Sequence, residues 1–193
     1  MSTADFLFTP SMQRVLCLVF ANPGQSFNLT RLLEHAGGGH GGGQRQIERL
    51  LLAGLLQEGP RRALKRSIQV NTEFFMYPEL RAIVLKSFGL TEPLQQVLQA
   101  FQEQISEAFV VGSFIQGTDS PGSEIDLIVV GGAPLKALNE AMLHIQTTLG
   151  RPVRIRRYGA RKWAQLRQTD PEVQQLAQAE NIRILPAVPL SKV

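Results

Sequence analysis

Between residues 110 and 130 the chain reads VVGSFIQGTDSPGSEIDLIVV, two apolar runs joined by a turn rich in glycine and serine. Glu124 and Asp126 enter the second run one residue apart. A short apolar run bounded by turn residues reads as a buried strand. A strand's period of two then puts both acids on one face, with Ile125, Leu127 and Val129 forming the core face. Carboxylates are costly to bury, so these two must be paired, exposed at the strand's end, or holding a metal. That three-way choice governs what the chain can do.

The surrounding pattern alternates. AFVVG reads as a strand, PLKALNEAMLHIQTTLG as a helix, RPVRIRRY as a strand, RKWAQLR and PEVQQLAQ as helices, and NIRIL as a last short strand. Strands alternating with helices indicate an α/β (α+β) sheet with helices packed on it. Gly112 and Ser113 follow the first strand and open a helix, so their N–H groups point where an anion can sit. Two carboxylates beside such a turn make a site for Mg²⁺ bridging phosphate oxygens, as in nucleotidyl transfer. No G-x-x-x-x-G-K-[ST] loop occurs anywhere in the chain. In RPVRIRRY, Val153 and Ile155 share one face while Arg154 and Arg156 share the other. Arginines facing Asp126 compete with a cation for it. Alternatively, they contact the triphosphate of a nucleotide that binds without turnover.

The first half has a different grammar. PSMQRVLCLVF, FNLTRLLEHA and GQRQIERLLLAGLL carry apolar residues at helical spacing, with Asn28 as a candidate N-cap. LLQEG and KRSIQVN read as strands of a hairpin around PRRAL. Helix, helix, turn, helix and two-stranded ribbon is the order of a winged helix-turn-helix, whose third helix enters the DNA major groove. Gln44, Arg45 and Arg49 avoid the apolar stripe of that helix and have side chains that reach base edges or phosphates. Arg61, Arg62, Lys65 and Arg66 surround the ribbon tip, suited to phosphates through charge and counterion release. The stretch AGGGHGGGQ reads as a long, loose turn, or as a close approach of backbone to something such as a phosphate chain. YPELRAIVLKSFGL and TEPLQQVLQAFQEQIS read as two further helices, the second capped by Thr91. The expected organisation is residues 1–75 for DNA binding, 76–90 as a linker helix and 91–193 as the α/β domain.

Composition supports a folded, non-membrane protein: 44% hydrophobic, 19% charged and no apolar run near the roughly 18 to 20 residues of a span. Cys17 is alone, which excludes a disulfide framework and reads as a buried structural thiol. The start lacks a signal-peptide pattern, so a cytoplasmic location is expected. The net charge is +4. Residues 1–90 hold ten Lys/Arg against six Asp/Glu, and residues 91–193 hold ten of each. The surplus in the first half suggests that this half meets a polyanion.

Gly112, Ser113, Gly117, Ser123, Asp126 and Leu127, with their flanking strands, resemble the signature of minimal nucleotidyltransferases of the DNA polymerase beta superfamily. The first half resembles the winged helix found fused to such domains. The resemblance implies that two acids, here Glu124 and Asp126, bind Mg²⁺, that Gly112 and Ser113 hold a nucleoside triphosphate, and that a third acid stands on a later strand. This chain departs from the pattern with Glu124 in place of an aspartate, Gln116 where an arginine is common, and Arg154 and Arg156 on the strand of the third acid. The expected function is a DNA-binding transcriptional regulator, dimeric on double-stranded DNA, with a degenerate or nucleotide-sensing nucleotidyltransferase-like domain. The alternatives are an active Mg²⁺-dependent transferase, whose general base is unidentified, and an antitoxin-like partner of a separate protein.

Overall fold

The computed structural model describes residues 2–37, 40–59, 66–119 and 122–186, the side chains of residues 40, 41 and 147 excepted. The chain forms two compact units, Met1–Glu92 with Thr148–Gly150, and Pro93–Thr147 with Arg151–Val193.

In the first unit, helix α1 (Pro10–Ala21) starts where the Thr9 side chain accepts from the Met12 N–H and Pro10 takes the first helical position. Helix α2 (Leu29–Ala36) is capped by Asn28, whose Oδ1 accepts from the Arg31 N–H at 2.7 Å, as its sequence suggests. Helix α3 spans His40–Leu52, and helix α4 spans Tyr77–Lys86. Strands β1 (Phe27–Asn28), β2 (Leu56–Glu58) and β3 (Ser67–Val70) form an antiparallel sheet in the order β1-β3-β2. The ribbon therefore has a third strand, with Phe27 opposite Ile68. Val15, Val19, Phe20, Phe27, Leu32, Ile47, Leu56 and Ile68 build one core. Val84 and Phe88, from the segment expected to be a linker, are part of it. Cys17 lies against this core, its Sγ 3.7 Å from the Phe88 carbonyl oxygen, and burial pushes its pKa up to about 12.

The glycine stretch differs from its reading as a loose turn. Helix α3 already begins at His40 and runs through Gly42 and Gly43. At Gly43 the close approach is to protein. A Cβ on Gly43 would stand 3.2 Å from the Cβ of Ala36 and 3.3 Å from Cδ2 of Leu33, so glycine lets α2 and α3 approach. Gly37 ends α2 in the left-handed region at φ 60°, and Arg14 Nε donates to the Ala36 carbonyl at 2.8 Å.

The second unit has its sheet in the order β6-β5-β4-β7, from strands β4 (Ile105–Val111), β5 (Ile125–Gly131), β6 (Val153–Tyr158) and β7 (Ile182–Leu185). β5 and β6 run parallel, while β4 is antiparallel to both β5 and β7. This mixed sheet is consistent with a nucleotidyltransferase fold. Helix α5 (Thr91–Leu98) leads through a 3₁₀ turn at Gln99–Gln104 into β4, so that strand starts three residues earlier than AFVVG suggests. Thr91 does not cap α5. It is that helix's first residue, and its hydroxyl donates to the Leu85 carbonyl at 2.9 Å. Helix α6 (Ser113–Gln116) follows β4. The helix expected over residues 134–150 is two, α7 (Leu135–Leu143) and α8 (Gln146–Leu149). Helices α9 (Ala160–Thr169) and α10 (Pro171–Gln178) complete the unit.

Both faces of β5 are buried, not only the face of Ile125, Leu127 and Val129. Ile128 and Val130, on the face of Asp126, join Phe109, Val111, Trp163 and Val173 in a second core, which α9 and α10 supply. No helix among the described residues is long and apolar enough to cross a membrane.

Candidate functional site

The Gly-Ser turn and the two acids come together as the strand pattern requires. Val111, the last residue of β4, stands opposite Asp126 in the register. Gly112 takes φ 89°, and a Cβ there would lie 3.4 Å from Oδ2 of Asp126. The backbone conformation is what calls for glycine at this turn, since a Cβ would stand at ordinary contact distance from the carboxylate. Glu124 stands just ahead of β5 with its side chain half exposed, whereas the Asp126 side chain is 19% exposed.

The parallel pairing of β5 with β6 then decides which groups meet Asp126. Asp126 is in register with Arg154, and Ile128 with Arg156. Arg154 grips Asp126 with two bonds, Nε donating to Oδ1 at 2.6 Å and Nη2 to Oδ2 at 2.9 Å. Its Nε is also 3.7 Å from Oε2 of Glu124. Arg156 lies 3.9 Å from Oδ2 of Asp126 and donates to Oε1 of Glu172, at the start of α10, at 3.4 Å. The hydrogen bond to Asp126, and then its negative charge, hold the Arg154 guanidinium above its ordinary pKa.

This donor set does not fit Mg²⁺. Both oxygens of Asp126 face one guanidinium, and the strand expected to carry a third acid carries arginines. Glu124, Asp126 and Glu172 are nearly balanced by Arg154 and Arg156, so little net negative charge remains to draw a hard dication from water. Among the described residues no group of three or more His, Cys, Asp or Glu is arranged to hold a metal. Of the three choices, Asp126 takes pairing, while Glu124 stands half exposed at the strand's end, 3.7 Å from Arg154.

An ion pair that sequence reasoning missed lies nearby. Arg151 Nη2 is 2.7 Å from Oδ2 of Asp119, with the two side chains 1% and 0% exposed. The same guanidinium donates to the Ser123 carbonyl at 3.2 Å and sits 5.2 Å above the Phe114 ring. It ties α6, the loop ahead of β5 and the approach to β6 to one another. Nothing local marks the pair, since 32 positions separate its members and each reads alone as a surface charge.

In the first unit, Gln44, Arg45 and Arg49 are exposed on α3. Gln44 Nε2 donates to Oε1 of Glu48 one turn on, at 3.0 Å. Arg66 is held by Glu58 across the ribbon at 2.9 Å, which leaves it less available to a phosphate. Arg61, Arg62 and Lys65 lie outside the described residues.

No curated protein and no solved structure matches the chain. Residues 94–183 match the family model of the nucleotidyltransferase domain. That span runs from α5 to β7 and includes the Gly-Ser turn, both acids and both strand arginines, so the second unit is similar to nucleotidyltransferase domains in sequence and in its mixed sheet.

Proposed function

We propose that this chain is a DNA-binding transcriptional regulator whose nucleotidyltransferase-like domain does not carry out Mg²⁺-dependent transfer. In this reading the first unit is a winged helix-turn-helix, with α3 in the major groove and the β2–β3 ribbon beside the backbone. One helix and one ribbon cover a single half-site, so the protein acts as a homodimer in the cytoplasm. The observation that carries the second part is the two-bond grip of Arg154 on Asp126. A cation would have to displace a charge-assisted, bidentate contact before it could bind. The exposed row of Gln44, Arg45 and Arg49 on α3 supports the first part.

Incubation with labelled ATP and Mg²⁺ tests the second part. The expected result is no nucleotidyl transfer by the wild-type chain; transfer that Asp126→Ala abolishes would make the protein an active transferase instead. Metal-free ATP binding without turnover would assign Arg154 and Arg156, with Gly112 and Ser113, to a nucleotide sensor. For the first part, duplexes enriched from a random-sequence pool are titrated at several salt concentrations. Affinity should fall steeply with salt, and the Arg45→Ala, Arg49→Ala double variant should weaken binding and relax sequence preference. A flat salt response would remove DNA binding, and copurification of a second protein would favour an antitoxin-like role.

A further inference from the structure

On the face of the second sheet that α9 covers, three elements send charged side chains to one place. Arg183 of β7 stands opposite Phe109 of β4 in the antiparallel register, so both project from the same face. Phe109 packs against Trp163 of α9, with ring centroids 5.9 Å apart. Arg167 follows Trp163 by four positions and shares its side of the helix. Glu107 precedes Phe109 by two on β4 and shares its side of the strand. All five line a single cleft of about 60 Å³, together with Asn181 and Ala177.

The cleft holds both signs of charge, and they are not used on each other. Arg167 and Arg183 are exposed and Glu107 is half-buried, yet among the described residues none of the three forms an ion pair. Elsewhere in this unit acids and arginines close on each other, as Asp119 does on Arg151 and Asp126 on Arg154. The buried Trp163 indole N–H also has no acceptor among the described residues. A buried donor without a partner is costly. A space of this size takes a few water-sized groups, far less than a nucleotide needs. A bare oxyanion would stand beside the like charge of Glu107. The ligand that suits the whole lining is small, with an anion at one end and a cation at the other.

We propose that this cleft binds the head group of an α-amino acid. Arg167 and Arg183 take the α-carboxylate, to which a guanidinium donates through a planar fork, and Glu107 takes the ammonium. Across the β4–β5 ladder Glu107 faces Val130 and Val111 faces Asp126, so the site lies about 13 Å along the sheet from Asp126. It depends neither on the Gly-Ser turn nor on α3 being a recognition helix.

Trp163 is the chain's single tryptophan, so intrinsic fluorescence reports on this cleft without a label. The full chain is titrated with each standard amino acid, and with acetate, methylamine and inorganic phosphate, by fluorescence and by calorimetry. At least one amino acid should bind and change the emission. Acetate and methylamine each carry half of the head group and should bind at least about tenfold more weakly. Arg167→Gln and Arg183→Gln should each weaken the amino acid about tenfold, the worth of one charge-assisted contact. Glu107→Gln should bring its affinity down to that of acetate. Phosphate or acetate binding as tightly as any amino acid would make this a plain anion hole and overturn the proposal. So would a chain that binds no amino acid, or binding that neither arginine variant weakens.

Discussion

The two units use the same side chain in opposite surroundings. On α3, Arg45 and Arg49 stand exposed to solvent. On β6, Arg154 is gripped by Asp126, and Arg151 just ahead of the strand is sealed against Asp119. A guanidinium held by a carboxylate contributes to the fold and is withdrawn from any partner, whereas one facing water contributes little to stability and remains available. Under the proposed function, which arginines have acids within reach matters more than how many there are.

Removing these arginines one site at a time should reproduce that gradient in urea denaturation. Arg151→Met leaves the Asp119 carboxylate buried without its partner and should cost about 3 to 5 kcal/mol, most of it recovered by adding Asp119→Leu. A loss under about 1 kcal/mol would mean that the pair is hydrated and the contrast false. Arg154→Ala should cost only about 1 kcal/mol, because the Arg154 side chain is 54% exposed and solvent screens the pair. Arg154→Asp sharpens the point, since it sets a third acid beside Glu124 and Asp126. That variant should gain a melting temperature that rises with millimolar Mg²⁺, a response the wild-type chain lacks; a wild-type rise would place a metal where the arginine stands. Arg45→Ala and Arg49→Ala should each change stability by no more than about 0.5 kcal/mol, whatever they do to DNA affinity.

Much of the architecture was legible from periodicity. The cap at Asn28, the apolar positions of α1 and α3, and the strand alternation around Asp126 follow local rules, so a linear reading reaches them. The meeting of Arg154 with Asp126 was also within reach, because strand parity puts both on one face once the two strands are neighbours. Other features were not. The glycine run looked like slack because nothing nearby in sequence shows that Ala36 and Leu33 crowd Gly43.

What the sequence determined by itself was most of the elements and the face on which a charged side chain points, because helix and strand periods are properties of the local backbone. Which charge meets which was decided only by the tertiary structure. The parallel register of β5 on β6 brings Arg154 to Asp126, and the loop ahead of β5 carries Asp119 to Arg151 across 32 positions. Coulombic and hydrogen-bond energies depend on separation in space, and the chain's order along its length does not encode that separation.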